Sequence, residues 1–223
     1  MNGGMLMSKL IVIEGLDGSG KSTQLELLRK NLPDAHFITF PCYESESGRI
    51  ISAYLRGEFD EKDPNKSAYS ASIMYAVDRY TSFRTHWGAL YESGRPVISA
   101  RYVSSNAVYQ MTKLDEAEWE SYLDWLTDLE YKKLGMPEPD LTIFLDMPTD
   151  VSQKLLSGRY GGDESKKDIH ERDTAYLRRC RDAALYAASR YGWDVIPCSK
   201  DGEPKSIDEI NSTLMQKIRN CIG

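Results

Sequence analysis

The stretch Gly15-Leu-Asp-Gly-Ser-Gly-Lys-Ser22 constrains this chain more than any other, because it fits G-x-x-x-x-G-K-S/T between an apolar run and a helical pattern. Glycines at this spacing let backbone N–H groups curl around an anion, and the following helix N-terminus adds about half a positive charge. Lys21 is then placed to reach the outer phosphates of a nucleoside triphosphate, and the Ser22 hydroxyl to ligate Mg²⁺. Gly15, Leu16, Asp17, Gly18, Ser19, Gly20, Lys21, Ser22 and Thr23 are therefore expected to cradle ATP.

Around that motif, short apolar runs alternate with longer helical patterns. KLIVIEG, HFITFP, RPVISA, DLTIFLDMP and WDVIPCS read as five strands. Their near-continuous apolarity fits strands covered on both sides, and the alternation predicts an α/β chain with a parallel sheet between two layers of helices. Helices follow from apolar spacing at Leu25, Leu28 and Leu32; Ile73, Val77, Tyr80 and Trp87; Trp119, Leu123, Leu126 and Leu129; and Leu177, Cys180, Ala184 and Tyr191. With 223 residues, 41% of them hydrophobic, one domain over 9–223 is expected, behind an eight-residue start that reads as a floppy tail or an expression remnant. The Gly-rich, charged stretch 157–168 has neither period and reads as a loop or a lid.

Composition narrows the setting. Lys+Arg number 28 against 34 Asp+Glu, a net charge of −6, and no basic run marks a nucleic-acid or membrane surface. Four cysteines without C-x-x-C spacing argue against a zinc site and for a reducing cytoplasm. No signal-peptide pattern and no membrane-length apolar run is found.

Phosphate cradles of this kind serve switches, motors and kinases. The only Asn-Lys pair, Asn65-Lys66-Ser67-Ala68, lacks the acid of a guanine-reading N-K-x-D loop, and no strand ends in Asp-Glu as a motor's would. A small kinase with a second, phosphate-accepting site remains. At about 100° per residue, Tyr75 and Arg79 stand together on helix 73–90, away from Ile73, Val77, Tyr80 and Trp87. A ring beside a guanidinium suits stacking a base and bonding its edge, or else is a solvated pair or a dimer surface. A doubly wound sheet would bring Arg101, at the end of PVISA, beside the cradle.

Several motifs in order, from Lys9 to about Arg219, resemble thymidylate kinase, the P-loop enzyme that moves the γ-phosphate of ATP to dTMP for dTTP synthesis. They are Glu14-Gly-Leu-Asp-Gly-Ser-Gly-Lys-Ser-Thr-Gln24, Phe40-Pro41, Asp78-Arg79-Tyr80, Arg101-Tyr102 with Ser105 and Tyr109-Gln110, and Leu145-Asp146-Met147-Pro148. The resemblance implies a P-loop NTPase fold of five parallel strands with a lid, a homodimer, and Mg²⁺ with ATP as co-substrate. It implies that Asp17 holds the deoxyribose 3′-hydroxyl, Phe40 and Pro41 line the sugar, Tyr75 stacks on thymine, Arg79 bonds the base edge and Arg101 grips the acceptor phosphate, with Tyr102 and Gln110 as pocket wall. Gly18 stands where some relatives carry a P-loop arginine, which turns attention to the lid for positive charge: Arg159 first, then Lys166 and Lys167. The pattern is broken at Tyr43, where many relatives have Arg, and at Ala100, where the family usually has Asp; Glu14 and Asp146 are candidate substitutes in holding the metal. Its rivals are another P-loop nucleoside or nucleotide kinase and a catalytically weak nucleotide-binding sensor.

Overall fold

All five expected strands form and pair in one sheet. The computed structural model describes residues 8–59, 62–159 and 173–223. The strands β1 (Leu10–Gly15), β2 (His36–Thr39), β3 (Val97–Ala100), β4 (Leu141–Asp146) and β5 (Asp194–Pro197) lie in the order β2-β3-β1-β4-β5, every pair parallel. Strand alternation explains the unbroken apolar run of β1: Leu10 and Val12 belong to one core, Ile11 and Ile13 to the other. The second core is closed by α1 (Lys21–Asn31) and the last helix, through Leu28, Ile210, Leu214 and Ile218.

Against the first core lie α3 (Pro64–Ser82), α6 (Trp119–Thr127) and the long helix Thr174–Tyr191, through Ala68, Trp119, Leu123, Ala183 and Ala187. In chain order the remaining helices are α2 (Glu46–Leu55), α4 (Gly88–Glu92), α5 (Ser104–Tyr109) and α7 (Thr149–Arg159). Thr174–Tyr191 is then α8 and Ile207–Ile222 is α9. A small antiparallel hairpin, Ser199–Lys200 with Glu203–Pro204, links β5 to α9.

Helix α3 corrects the orientation that apolar spacing suggests. Ile73, Val77 and Tyr80 are 47%, 43% and 39% exposed, whereas Arg79 is 1% exposed and Trp87 fully buried. Small residues, Ala68, Ala71, Ser72 and Ala76, form the packed face and bring α3 close to its neighbours. A π-helical turn at Phe83–Trp87 then breaks the expected helix 73–90; its wider turn shifts the helical phase and carries Trp87 off the stripe into the core. A second π turn, Asp128–Lys133, follows α6 and buries Glu130 completely while Leu129 stays partly exposed.

The loop from Phe40 to Ser45 and the first turn of α2 are held by α3. Buried Asp78 of α3 accepts from the Cys42 N–H (2.8 Å), Ser47 Oγ (2.7 Å) and Ser45 Oγ (3.2 Å). Ser45 caps α2 by accepting from the Gly48 N–H at 2.9 Å. At Gly48 a Cβ would lie 1.9 Å from the Cys42 carbonyl oxygen, so the loop can close on α2 only over a glycine. Of the expected tail, residues 1–7 lie outside the described residues, as do 160–168 of the expected lid with Lys166 and Lys167. Arg159 ends α7, but its side chain is also outside the described set.

Gly48→Ala is expected to destabilise the fold by about 1–3 kcal/mol, the usual range for forcing an atom into packed space. Urea unfolding measures it; a midpoint equal to that of the original chain would mean that the α2 contact is loose.

Candidate active site

The cradle forms where β1 ends. Gly18 and Gly20 take positive φ angles of 77° and 82°, which turns the backbone around the cavity in a way that a side chain would oppose. Ser19 N–H donates to Leu16 O at 3.2 Å, closing the loop, and α1 starts at Lys21. The Lys21 ammonium donates to Gly15 O at 2.9 Å, folded over the mouth of its own loop. Burial and then the nearby Arg101 push its pKa down to about 8. A cavity of about 670 Å³ opens here, bordered by residues 16–24, Leu155 and Leu156 of α7, and Lys205 to Ile207 beyond the hairpin. All nine expected cradle residues are thus together, with Gly15 tucked beneath: a Cβ there would meet Ser19 Oγ at 2.7 Å.

Arg101 emerges beside this cradle, as expected. Strands β1 and β3 pair in parallel with Ile13 opposite Ala100, so Arg101, the first residue past β3, falls level with Glu14 near the end of β1. The Arg101 backbone is left-handed (φ 64°), a strained state for a residue with a side chain. It is pinned on both sides, its N–H donating to Ile13 O (3.2 Å) and its carbonyl accepting from Ser99 Oγ (2.6 Å). The guanidinium reaches Asp17 Oδ1 at 3.0 Å and lies 3.8 Å from Glu14 Oε1 and 4.8 Å from the centre of the Tyr109 ring. Burial works against its charge, but Tyr109, Glu14 and Asp17 outweigh burial and hold its pKa above the ordinary value.

The acid missing at Ala100 is not replaced by a free one. Glu14 is fully buried and its carboxylate accepts from Gly15 N–H (3.1 Å), Ser104 Oγ (2.9 Å) and Ser105 Oγ (2.7 Å). Asp146 gives both oxygens to Arg181 of α8, at 2.6 and 2.8 Å. Both acids are therefore engaged away from Ser22, whose hydroxyl makes no hydrogen bond among the described residues. Among these residues no group of three or more His, Cys, Asp or Glu is arranged to hold a metal.

A second cavity, of about 370 Å³, lies on the other side of Asp17. Its border includes Phe40, Pro41, Tyr43, Tyr75, Arg79, Arg101, Tyr102 and Gln110, so the expected acceptor residues converge on one space. Gln110 is 7% exposed and its Oε1 has no partner among the described residues. Tyr102 is buried to the end of its ring, its hydroxyl donating to Pro137 O at 3.1 Å. Tyr75 and Arg79 are a buried or half-buried pair, not a solvated one.

Sequence reading missed three residues here. The Tyr109 ring lies under Arg101, Asp78 anchors the loop that carries Phe40 and Pro41, and Glu130 forms a two-oxygen pair with Arg79. Asp78 had a signal, sitting inside the Asp-Arg-Tyr motif; Glu130 had only its place one residue past an apolar stripe.

A family-wide sequence profile described as thymidylate kinase matches residues 13–206. The chain belongs to the thymidylate kinase family. It is 32% identical to thymidylate kinase of Mycobacterium tuberculosis over 191 residues, covering 82% of this chain and 87% of that one. It is 31% identical to the probable thymidylate kinase of Pyrobaculum aerophilum over 199 residues, covering 89% and 92%. A solved structure described as thymidylate kinase from Candida albicans superposes with a TM-score of 0.70 over 97% of this chain and 94% of that one; at 22% identity it bears on the fold alone, a P-loop NTPase sheet flanked by helices. The enzyme is thus a nucleoside monophosphate kinase that transfers phosphate from ATP to dTMP, giving dTDP and ADP. Family membership decides among the kinases that the sequence left open. No helix among the described residues is long and apolar enough to cross a membrane.

The lowered pKa of Lys21 has a measurable sign. In the free kinase the lysine loses its proton near pH 8, and a bound polyphosphate raises that value again. Above about pH 8, ATP binding should therefore take up close to one proton and weaken with rising pH, with no such dependence at pH 7. Calorimetry at pH 9 in two buffers of different ionisation enthalpy measures the uptake; identical heats in both would contradict it.

Proposed function

We propose that transfer runs in line across Asp17, with ATP delivered from the cradle and the dTMP phosphate held by Arg101. The supporting observation is that Asp17 borders both cavities, with Lys21 on the donor side and Arg101 at 3.0 Å on the acceptor side. In the empty site Asp17 and Arg101 neutralise each other. When dTMP enters, its phosphate takes over the guanidinium and Asp17 is released to accept from the 3′-hydroxyl. Phe40 and Pro41 flank the sugar, Tyr75 stacks on the base, Arg79 bonds its edge, and Tyr102 and Gln110 complete the wall.

A monophosphate, with its second pKa near 6, is mostly dianionic at pH 7 and needs no general base. Ala100 in place of an acid is compatible with that chemistry. What the site must supply is alignment of two repelling polyanions and neutralisation of charge on the transferring group. Lys21 and Arg101 provide two cations. Arg159 is the third in this reading, because α7 borders the donor cavity through Leu155 and Leu156 and Arg159 follows one turn later. Mg²⁺ fits as an ion held chiefly by the ATP phosphates, with Ser22 as its protein ligand, since such ions need few protein oxygens when phosphates are present. Bound there, it would supply positive charge that screens the phosphates as they approach.

The kinase acts in the cytoplasm as a single domain and as a homodimer, in this proposal. Its four cysteines stand as thiols, and the exposed stripe of Ile73, Val77 and Tyr80 on α3 suits a second copy of the same apolar face. Sedimentation should give twice the chain mass, and Val77→Glu should shift the population to monomer; a monomeric parent would remove the dimer reading.

Coupled ADP-release assays test the site. Lys21→Ala and Arg101→Ala should each lower kcat/KM for dTMP by about 10²–10³-fold, the scale of losing one donor to transition-state charge. Near-parental turnover in either would overturn the assigned role.

A further inference from the structure

The proposed reading of the base rests on Arg79, and the geometry points to Glu130 as what gives that reading its direction. We propose that Glu130 is a positioning residue for base selection: it locks Arg79 so that the N–H groups left on its terminal nitrogens are held toward the acceptor cavity, favouring a pyrimidine with a carbonyl at C4 over one with an amino group there.

Both members of the pair are hidden from water, Arg79 at 1% exposure and Glu130 at 0%. One carboxylate oxygen accepts from Arg79 Nε at 2.7 Å and the other from Nη2, while Nη1 donates to Tyr102 O at 3.2 Å. A guanidinium has five N–H groups. Three are consumed by these contacts, which leaves one on each terminal nitrogen. Because Arg79 borders the acceptor cavity, the group offered to a base there can donate and cannot accept. Thymine presents an acceptor oxygen at C4, and cytosine an amino donor.

The pairing also takes one nearby acceptor, the Glu130 carboxylate, out of play. An unengaged Glu130 carboxylate would welcome an amino group; with its oxygens on Arg79, and Asn106 Nδ2 a further 3.5 Å from one of them, it is spent. Asn106 is itself held by Ser72 O at 3.3 Å and borders the same cavity. Burial limits any relaxation, since neither partner can swing into water without leaving the other charge unpaired. The π turn at Asp128–Lys133, a kind of turn found often at functional sites, is what carries Glu130 inward.

Three measurements test this proposal and separate it from the reading beneath it. Glu130→Gln keeps the shape and removes the charge. It should raise the KM for dTMP by about tenfold or more, with kcat at saturation and the KM for ATP within about threefold, and should lower the dTMP-to-dCMP ratio of kcat/KM by about tenfold. Glu130→Asp, which keeps the charge, should recover part of that ratio. A ratio and a dTMP KM within about threefold of the parent in Glu130→Gln would overturn the lock. Arg79→Ala reports on the underlying reading: an unchanged dTMP KM there means that the base is read elsewhere, whereas a raised KM with a silent Glu130→Gln defeats the lock alone. If Glu130→Gln fails to fold, the parent enzyme still decides. Its Arg79 Nε–H, assigned by loss in Arg79→Lys, should be visible by NMR and protected from solvent exchange both before and after dTMP is added. Rapid exchange in the empty enzyme would overturn the proposal.

Discussion

The pairing of β1 with β3 is the constraint on which the site depends. Because Ile13 lies opposite Ala100, the P-loop and Arg101 leave the sheet side by side, and the Arg101 N–H is bound to the last β1 carbonyl but two. Parallel strands bring all their carboxyl ends to one edge, so the cradle and Arg101 need no further element to meet. The left-handed turn at Arg101 then aims the side chain at Asp17. That backbone strain is sustained by Ser99 and by the hydrogen bond to Ile13, both built on the rigid sheet.

Electrostatics decides what this arrangement costs when no substrate is present. Burial depresses the pKa of Lys21, and the nearby Arg101 adds to that effect. Glu14 and Asp17 oppose it, and the same two acids, with the Tyr109 ring, sustain the charge on Arg101. Glu14 is not idle in consequence of its full burial: two serine hydroxyls and a backbone N–H satisfy it, so it can remain beneath the arginine as a fixed counter-charge. Asp17 is only half-buried and, in the proposed transfer, is the one that changes partner.

Much of this was legible in the chain. Short, near-continuous apolar runs marked all five strands, since a strand buried on both faces tolerates little else, and the glycine spacing marked the cradle. Helix faces were less legible. Ile73, Val77 and Tyr80 are spaced as a core stripe and are exposed, while Ala68, Ala71, Ser72 and Ala76 do the packing. Hydrophobic spacing reports which face avoids water, and it is blind to whether small residues allow a closer approach on another face. The π turns at Phe83–Trp87 and Asp128–Lys133 add a second source of error, because a change of phase within a helix leaves no mark in apolar spacing.

By itself the sequence determined the sheet, the phosphate cradle, the candidate arginines and, through ordered motifs, the family. Each of these depends on local periodicity or on residues close together in the chain. Only the tertiary structure decided which charges pair. Arg79 meets Glu130 across 51 positions, Arg101 meets Asp17 across 84, and Asp146 is drawn off by Arg181 across 35. A charge chooses its partner by distance and desolvation in the folded state, and neither quantity exists until the elements have packed.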